Sequence, residues 1–219
     1  MRRVLALALT LLLACGTAWA GSFEDFFRAM KNDRDDVVRE LLLRGFDPNT
    51  RNENGLYGLY IALREPSPRV ARELIAWPHT DVNIRTDQGE TPLMLAALTN
   101  QLELARLLIA RGADVNQTGW TPLHYAATNG HLEMIGLLLD NSAYIDAESP
   151  NGSTPLMMAA RYGSPQAVKL LLEQGADPNL RNQLGLTALD FARQGGRPDS
   201  IEILTATVAR RPEPLPRGW

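Results

Sequence analysis

Cysteine is almost missing from this sequence: Cys15 is the single one in 219 residues. An internal disulfide is therefore excluded, and cleavage after Ala20 would remove thiol chemistry as well. Histidine is nearly as scarce. His79, His124 and His131 are the whole set, and none stands at metal-ligand spacing from another. No Lys/Arg-rich run occurs, and the net charge is −3, so the electrostatic footprint of a nucleic-acid binder is lacking. A phosphate-binding glycine loop, a nucleophile elbow and a paired-histidine motif are absent too. Carboxylates are scattered without an environment that would set two of them apart as an acid/base pair. What remains is 45% hydrophobic and 21% charged, ordinary material for one globular domain. No enzyme, cofactor or metal site is expected.

The only long apolar run lies at the start. Arg2-Arg3 precede an apolar stretch from Val4 to Ala14, and Ala18-Trp19-Ala20 satisfies a small-x-small rule for cleavage before Gly21. Residues 1–20 thus read as a secretory signal, too short in its apolar part to span a bilayer comfortably. Cleavage there removes Arg2 and Arg3, leaving 20 of the 22 basic residues against 25 acidic ones, a net charge of −5. A second reading stays open: Leu12-Leu13-Ala14-Cys15 is similar to a bacterial lipobox, which would lipidate Cys15 and tether the chain to a membrane. The short signal suits bacterial export, with the periplasm as destination.

Self-similarity organises the rest. Thr91-Pro92-Leu93-Met94 recurs as Thr121-Pro122-Leu123-His124, as Thr154-Pro155-Leu156-Met157 and, more weakly, as Thr187-Ala188-Leu189-Asp190. Between these stand Gly45-Phe46-Asp47-Pro48-Asn49, Gly112-Ala113-Asp114-Val115-Asn116 and Gly175-Ala176-Asp177-Pro178-Asn179. An alanine marks the period at 29, 62, 96, 126, 159 and 192, with spacings of 33, 34, 30, 33 and 33. Thr91 can cap a helix through its hydroxyl, and Pro92 suits a first helical position that needs no amide hydrogen. Ala96 and Ala97 permit close packing. Asn100-Gln101, or Asn129-Gly130, turns the chain into a second helix carrying Leu104, Leu107 and Leu108 at helical spacing. Gly112 can end it in the left-handed conformation.

These motifs, in phase over about residues 23–206, resemble the ankyrin repeat. The resemblance implies an all-α solenoid of about six stacked helix-turn-helix units with hairpin-like finger loops. The units would be 23–52, 53–86, 87–119, 120–149, 150–182 and 183–209, within a domain of 21–209. A Pro-rich tail, 210–219, would be extended or disordered. No single unit can bury its apolar face alone, so stacking supplies the stability and the end units act as caps. Phe23-Glu24-Asp25-Phe26-Phe27 replaces the Thr-Pro-Leu-His motif in the first.

The pattern breaks twice. From Asn116 to Ala126 is 10 residues, where the other fingers take 13, so one finger is cut to Gln117-Thr118-Gly119 before Trp120. Two readings are open: a notch that receives a partner's protrusion beside Trp120, or a loop deletion beside a Trp packed on its neighbours. In the second unit Tyr57-Gly58-Leu59-Tyr60 stands for Thr-Pro-Leu-His, and Ala62 to Asn83 is 21 residues against 20 elsewhere. The extra residue falls among Pro66, Ser67, Pro68 and Trp77-Pro78-His79, where prolines bar a regular turn. A bulge exposing some of Tyr57, Tyr60 and Trp77 is expected, as irregular packing or as a second contact patch.

By resemblance, partner contacts come from finger tips and the exposed face of the inner helices. Those positions include Glu53, Asn54, Leu56, Arg64, Asp87, Gln88, Glu90, Leu98, Thr99, Trp120, Thr128, Asn129, Arg161, Tyr162, Arg193 and Gln194. Trp120, Arg161 and Tyr162 are expected side by side on adjacent repeats, a patch of hot-spot residue types, with Thr128, Asn129, Glu90, Leu98 and Arg193 around it. Arg51, Arg85 and Arg181 could form a basic row, although Glu148 interrupts it and a basic residue is usual there in the family. His124 and His131 take family-typical places that imply bonds within the repeat.

The implied function is a non-enzymatic protein-binding module of the bacterial cell envelope, acting through the concave face and fingers. Its partner is another protein, with no nucleic acid, and with a membrane only if Cys15 is lipidated. Exported bacterial ankyrin proteins that the chain resembles suggest two alternatives: an accessory factor for a catalase or for haem delivery in oxidative-stress protection, or an immunity protein against a toxic effector. If the chain held haem or metal itself, His79 and Met157-Met158 are the eligible ligands, the methionines having the look of core.

Overall fold

The structure, a computed structural model, describes residues 21–65 and 67–210. Residues 1–20, with the expected signal and Cys15, as well as Pro66 and the expected tail beyond Arg210, lie outside the described residues. Every regular element described is helical, and an isolated antiparallel bridge joins Arg51 and Tyr57. In the pairs between the two ends, helices of seven or eight residues alternate with nine-residue ones, as the two motifs demand, while the last helix runs to 13. The chain divides into two compact units, with the boundary inside the Thr91-Pro92-Leu93-Met94 motif.

The first unit holds α1 (21–31), α2 (Asp35–Leu43), α3 (Gly58–Arg64) and α4 (Pro68–Ala76). Its core centres on Phe26, fully buried, tilted against Phe46 at 4.6 Å between ring centroids and edge-on to Phe27 at 5.2 Å. A Cβ on Gly58 would come within 2.7 Å of the Phe26 ring. This explains why Tyr-Gly-Leu-Tyr replaces the usual motif: the ring of the end repeat fills the space a proline would need. Asp33 caps α4 across the repeat, its carboxylate accepting the Arg69 and Val70 N–H groups at 2.9 Å each. The Ser67 hydroxyl donates to the Met30 carbonyl.

No bulge exposes Tyr60. Its ring is buried and its hydroxyl donates to Glu90 Oε2 at 2.7 Å, while Tyr57 and Trp77 are half-buried. The extra residue has a definite place. α3 and α4 have seven and nine residues, like α5 (Pro92–Leu98) and α6 (Leu102–Ala110), so the insertion follows α4 in the turn Trp77-Pro78-His79. A hydrogen-bonded turn there, Thr80 N–H to Trp77 carbonyl at 3.1 Å, replaces the left-handed glycine that ends α6.

The second unit holds α5 and α6, α7 (Pro122–Asn129), α8 (Leu132–Asp140), α9 (Pro155–Arg161), α10 (Pro165–Glu173), α11 (Ala188–Gln194) and α12 (Pro198–Arg210). The inner helices α7, α9 and α11 follow extended N-cap threonines 121, 154 and 187. They pack so closely that a Cβ on Gly163 would sit 2.4 Å from the Ala127 carbonyl oxygen, and one on Gly195 2.6 Å from that of Arg161.

Side chains also bind one repeat to the backbone of the next. Asn49 donates to the His79 carbonyl and accepts from the Asp81 N–H, both at 2.9 Å. Asn116 does the same with Ser142 at 2.7 Å and Tyr144 at 2.8 Å. Asp146 occupies the equivalent place but only accepts, from the Asp177 N–H at 3.2 Å. By the same two-residue offset its carbonyl partner would be Gly175, to which an ionised carboxylate has no hydrogen to offer. Burial, together with the charge of Asp177, holds the Asp146 carboxyl above its ordinary value, against the opposing pull of the Asp177 N–H.

A raised carboxyl pKa favours the folded state most at low pH, and that contribution is lost as the pH rises through the folded value. Asp146→Asn restores the missing donor without a titrating group. It is expected to raise stability by about 1 kcal/mol near neutral pH, by an amount that shrinks toward acid. Urea unfolding at two pH values checks this; an unchanged or lower midpoint near neutrality removes the explanation.

Candidate functional site

Four fingers share one backbone turn. In the second unit, the Ser149 N–H bonds the Ser153 carbonyl at 3.0 Å, and the Asn182 N–H bonds the Leu186 carbonyl at 3.0 Å, each with a left-handed glycine at the tip. Asn52 with Leu56 and Thr86 with Glu90 repeat this in the first unit. The short finger has no room for the turn. A side chain substitutes instead: Gln117 Nε2 donates to the Trp120 carbonyl at 2.7 Å. Gly119, in the left-handed conformation, lies close to Pro150 of the next finger.

Trp120 is half-buried, edge-on to His124 at 5.2 Å and tilted toward Tyr125 at 6.4 Å. His124 itself is fully buried. Its Nδ1 faces the Thr121 N–H at 3.2 Å, a group that can only donate, so Nδ1 accepts and Nε2–H donates to the Ser153 carbonyl at 2.9 Å. The ring thus caps its own helix and ties it to the next repeat. Asp190 plays the capping part in α11, accepting the Thr187 N–H and hydroxyl at 3.0 and 2.8 Å; those two bonds keep its carboxyl below the ordinary value.

The expected patch of Trp120, Arg161 and Tyr162 does not form as one cluster. His124 reaches Ser153, just before α9, while Ala127 near the end of α7 lies against Gly163 just past the end of α9. The two helices are therefore parallel. Trp120 precedes the first turn of α7, whereas Arg161 and Tyr162 stand at the last turn of α9. At 1.5 Å per residue, the length of an inner helix, about 11 Å, separates the two levels.

Arg161 and Tyr162 do come together, with the guanidinium 5.1 Å from the ring centroid and Tyr162 49% exposed. Arg161 Nη1 donates to Gln194 at 2.9 Å. Leu98 and Asn129 belong to the same level: Asn129 Nδ2 and His131 Nε2 lie 3.3 and 3.1 Å from the Leu98 carbonyl. Thr128 is tied down by donating to the His124 carbonyl at 2.7 Å, as Thr99 is to Leu95. Arg193 is exposed and pairs with Asp190 at 3.5 Å.

In the first unit, Glu53, Asn54, Leu56 and Arg64 line one open groove of about 540 Å³ with Phe23 and Phe27. Glu90 is engaged by Tyr60, and Asp87 by Arg51 at 3.3 Å, while Gln88 is exposed at its finger tip. Arg51 also lies over the Tyr57 ring of its own finger, and Arg181 donates to the Gly185 carbonyl of its own. Sequence reasoning missed Tyr125 as a face residue and took Met158 for core. Each stands four residues after its cap threonine, half-exposed on the inner-helix face, and that fixed offset was the available signal.

His79 is exposed and its carbonyl is taken by Asn49; Met157 is buried in the core, whereas Met158 is half-exposed. Among the described residues, no three of His, Cys, Asp and Glu come together as a metal-binding group.

With the geometry in place, the comparisons with known proteins define the class. The profile described as ankyrin repeats (3 copies) matches residues 26–118, 59–149, 116–182 and 143–210. The chain belongs to the ankyrin-repeat family. A crystal structure of an ankyrin repeat domain from Acinetobacter baumannii AYE is similar, with a TM-score of 0.73 and 29% identity over 83% of this chain and 96% of that one. The transient receptor potential cation channel subfamily A member 1 of Homo sapiens is 33% identical over 39% of this chain, and the ankyrin repeat and SAM domain-containing protein 6 of Rattus norvegicus 34% over 48%. The matched regions span only 8% and 12% of those proteins. A relative that is an enzyme by name, the glycerophosphocholine phosphodiesterase gde1 of Schizosaccharomyces pombe, is likewise matched over 8% of its length. Ankyrin repeats are in general protein-interaction modules and typically non-catalytic.

Burial pushes His124 down to about 4, against the Ser153 and Ala147 carbonyls, which favour its charged form. A depressed histidine contributes stability in full above its unfolded value, 6.5, and that stability is lost as the pH falls toward the folded one. Wild-type chain should lose about 3 kcal/mol between those limits from this group alone. His124→Gln should be weaker near neutrality but flatter with pH. Parallel pH dependences for the two chains would show that His124 is not the acid-labile group.

Proposed function

We propose that this chain is a non-enzymatic binding module of the bacterial cell envelope that holds a protein partner on the inner-helix face of its second unit. The observation carrying this reading is the combination of a cut finger with the side chains beside it. Trp120 stands half-buried at one level of that face, Tyr162 stands exposed at the other, and Tyr125 and Met158 lie part-exposed between them. The backbone beneath them is held by bonds from repeat to repeat, so a partner would meet a preformed surface and lose little affinity to ordering it. Aromatic and arginine anchors are the residue types that dominate such interfaces.

The location rests on residues 1–20. Arg2-Arg3, the apolar run and Ala18-Trp19-Ala20 support export to the periplasm with release at Gly21, and Cys15 offers the membrane-anchored alternative. Mass spectrometry of the chain purified from a bacterial envelope distinguishes them. A free N-terminus at Gly21 supports soluble export, a lipid-modified Cys15 replaces it with anchoring, and an intact Met1 in the cytoplasm rejects both.

Capture from periplasmic extract tests the surface. Trp120→Ala should weaken recovery of the bound protein by about 2 kcal/mol, roughly 30-fold in affinity, with an unchanged thermal melt. Tyr125→Ala provides a second reading if the tryptophan also proves necessary for packing. Equal recovery with wild type and both variants would place binding elsewhere.

A further inference from the structure

Arginines across this chain sit against carboxylates: Arg39 pairs with Glu73 at 2.6 Å, Arg34 with Asp36 at 2.8 Å, and Arg69 with Asp35. Arg161, at the C-terminal end of α9, and its neighbour Arg197, just before α12, do not, and neither does Arg181, which donates to the Gly185 carbonyl. Arg161 donates only to the neutral amide oxygen of Gln194, and Arg197 donates to the Arg161 and Tyr162 carbonyls at 3.1 and 3.0 Å. Neither has a carboxylate partner among the described residues. Arg193, beside Gln194, is exposed and leans on Asp190 at 3.5 Å, a weak surface pair.

This cationic spot is set in acidic surroundings, since residues 93–210 carry eight Lys and Arg against eleven Asp and Glu. It is also held rigid. The Arg197 guanidinium is fixed by two backbone carbonyls, and that of Arg161 by the Tyr162 ring and Gln194, which leaves its remaining N–H groups without a protein acceptor. Exposed apolar side chains share this side of the repeats: Tyr162 beside Arg161 and, in the two preceding repeats, Leu132 at the start of α8 and Leu98 at the end of α5, whose carbonyl lies 3.1 Å from His131 Nε2.

We propose that these helix ends receive an acidic peptide segment of the protein partner, its carboxylates on Arg161 and Arg197 and an apolar residue on Tyr162. The inference rests on the protein-binding reading above and names the chemistry of one part of that surface. Carboxylates fit the charges present. Planar guanidiniums present parallel N–H groups to a two-oxygen acceptor, and their rigid mounting lowers the ordering cost. Anionic membrane surfaces are bound by clusters of several mobile basic residues, and nucleic acids by extended basic faces. Two fixed guanidiniums with an aromatic ring suit neither.

The test uses two labelled peptides, one alternating Glu-Asp pairs with leucine and one carrying lysine in place of the acids, titrated against the full chain by fluorescence anisotropy. The acidic peptide should bind about tenfold or more tightly than the lysine one, with affinity falling as salt rises. Arg161→Gln should weaken it roughly fivefold with the melt unchanged. Equal binding of the two peptides, an unaltered affinity in Arg161→Gln, or preferential binding to phosphatidylglycerol vesicles would overturn the proposal. Capture of the natural partner reports separately. Retained capture that Trp120→Ala abolishes, with no acidic preference, sinks only the acidic-segment inference; failure of the wild type to capture any protein removes the reading beneath it.

Discussion

A side chain in one repeat that completes the backbone hydrogen bonds of the next is the interaction on which this fold depends. His124 reaches Ser153, Asn49 reaches His79 and Asp81, and Asn116 reaches Ser142 and Tyr144. A helix pair of seven plus nine residues is too short to be stable alone, because helix nucleation costs more than two turns return. Apolar burial between pairs supplies the drive. The side-chain bonds supply register, since a slip of one residue would leave buried polar groups unpaired at each junction. The near-contact of Gly163 with Ala127 shows how little sliding the backbones would tolerate.

That division explains what could be read from the residues. Period, caps and turn glycines are local: Thr121 and Thr154 lie immediately before their helices, and Gly112 ends α6, as their chemistry requires. The departures were governed by neighbours far along the chain. Gly58 replaces a proline because the Phe26 ring occupies the space, a contact 32 residues away that no spacing in the second repeat records. Tyr60 was expected at the surface because its motif looked broken. It instead takes the place of the motif histidine, and Glu90, 30 residues on, accepts its hydrogen bond. Likewise, the extra residue among the prolines could be placed only by comparing observed helix lengths.

The site was legible in kind and not in arrangement. Trp120, Arg161 and Tyr162 have the residue types of an interface, and adjacency in repeat number suggested adjacency in space. An inner helix has two ends, however. The motif offset shows which one a residue occupies: Trp120 stands before its cap threonine, while Arg161 stands seven positions after its own. Parallel packing then keeps the two levels apart. Tyr125 and Met158 fall between them for the same reason.

Because conformation is fixed at a few positions per repeat, the others are free to carry recognition. The short finger illustrates this freedom. Loss of three residues removes the backbone turn that closes the other fingers, yet the Trp120 carbonyl is still satisfied, now by the Gln117 amide. The scaffold bond survives, and the covering loop does not. At the opposite level, the carbonyls at the end of α9 need donors because a helix terminus leaves them unpaired, and Arg197 supplies two. A neutral donor would satisfy the same oxygens, as the Asn129 amide does for Leu98. The cap requires hydrogen-bond donors, and the positive charge that arginine adds at α9, beside an Arg161 that donates only to the neutral Gln194 amide, is what the proposed acidic segment would meet.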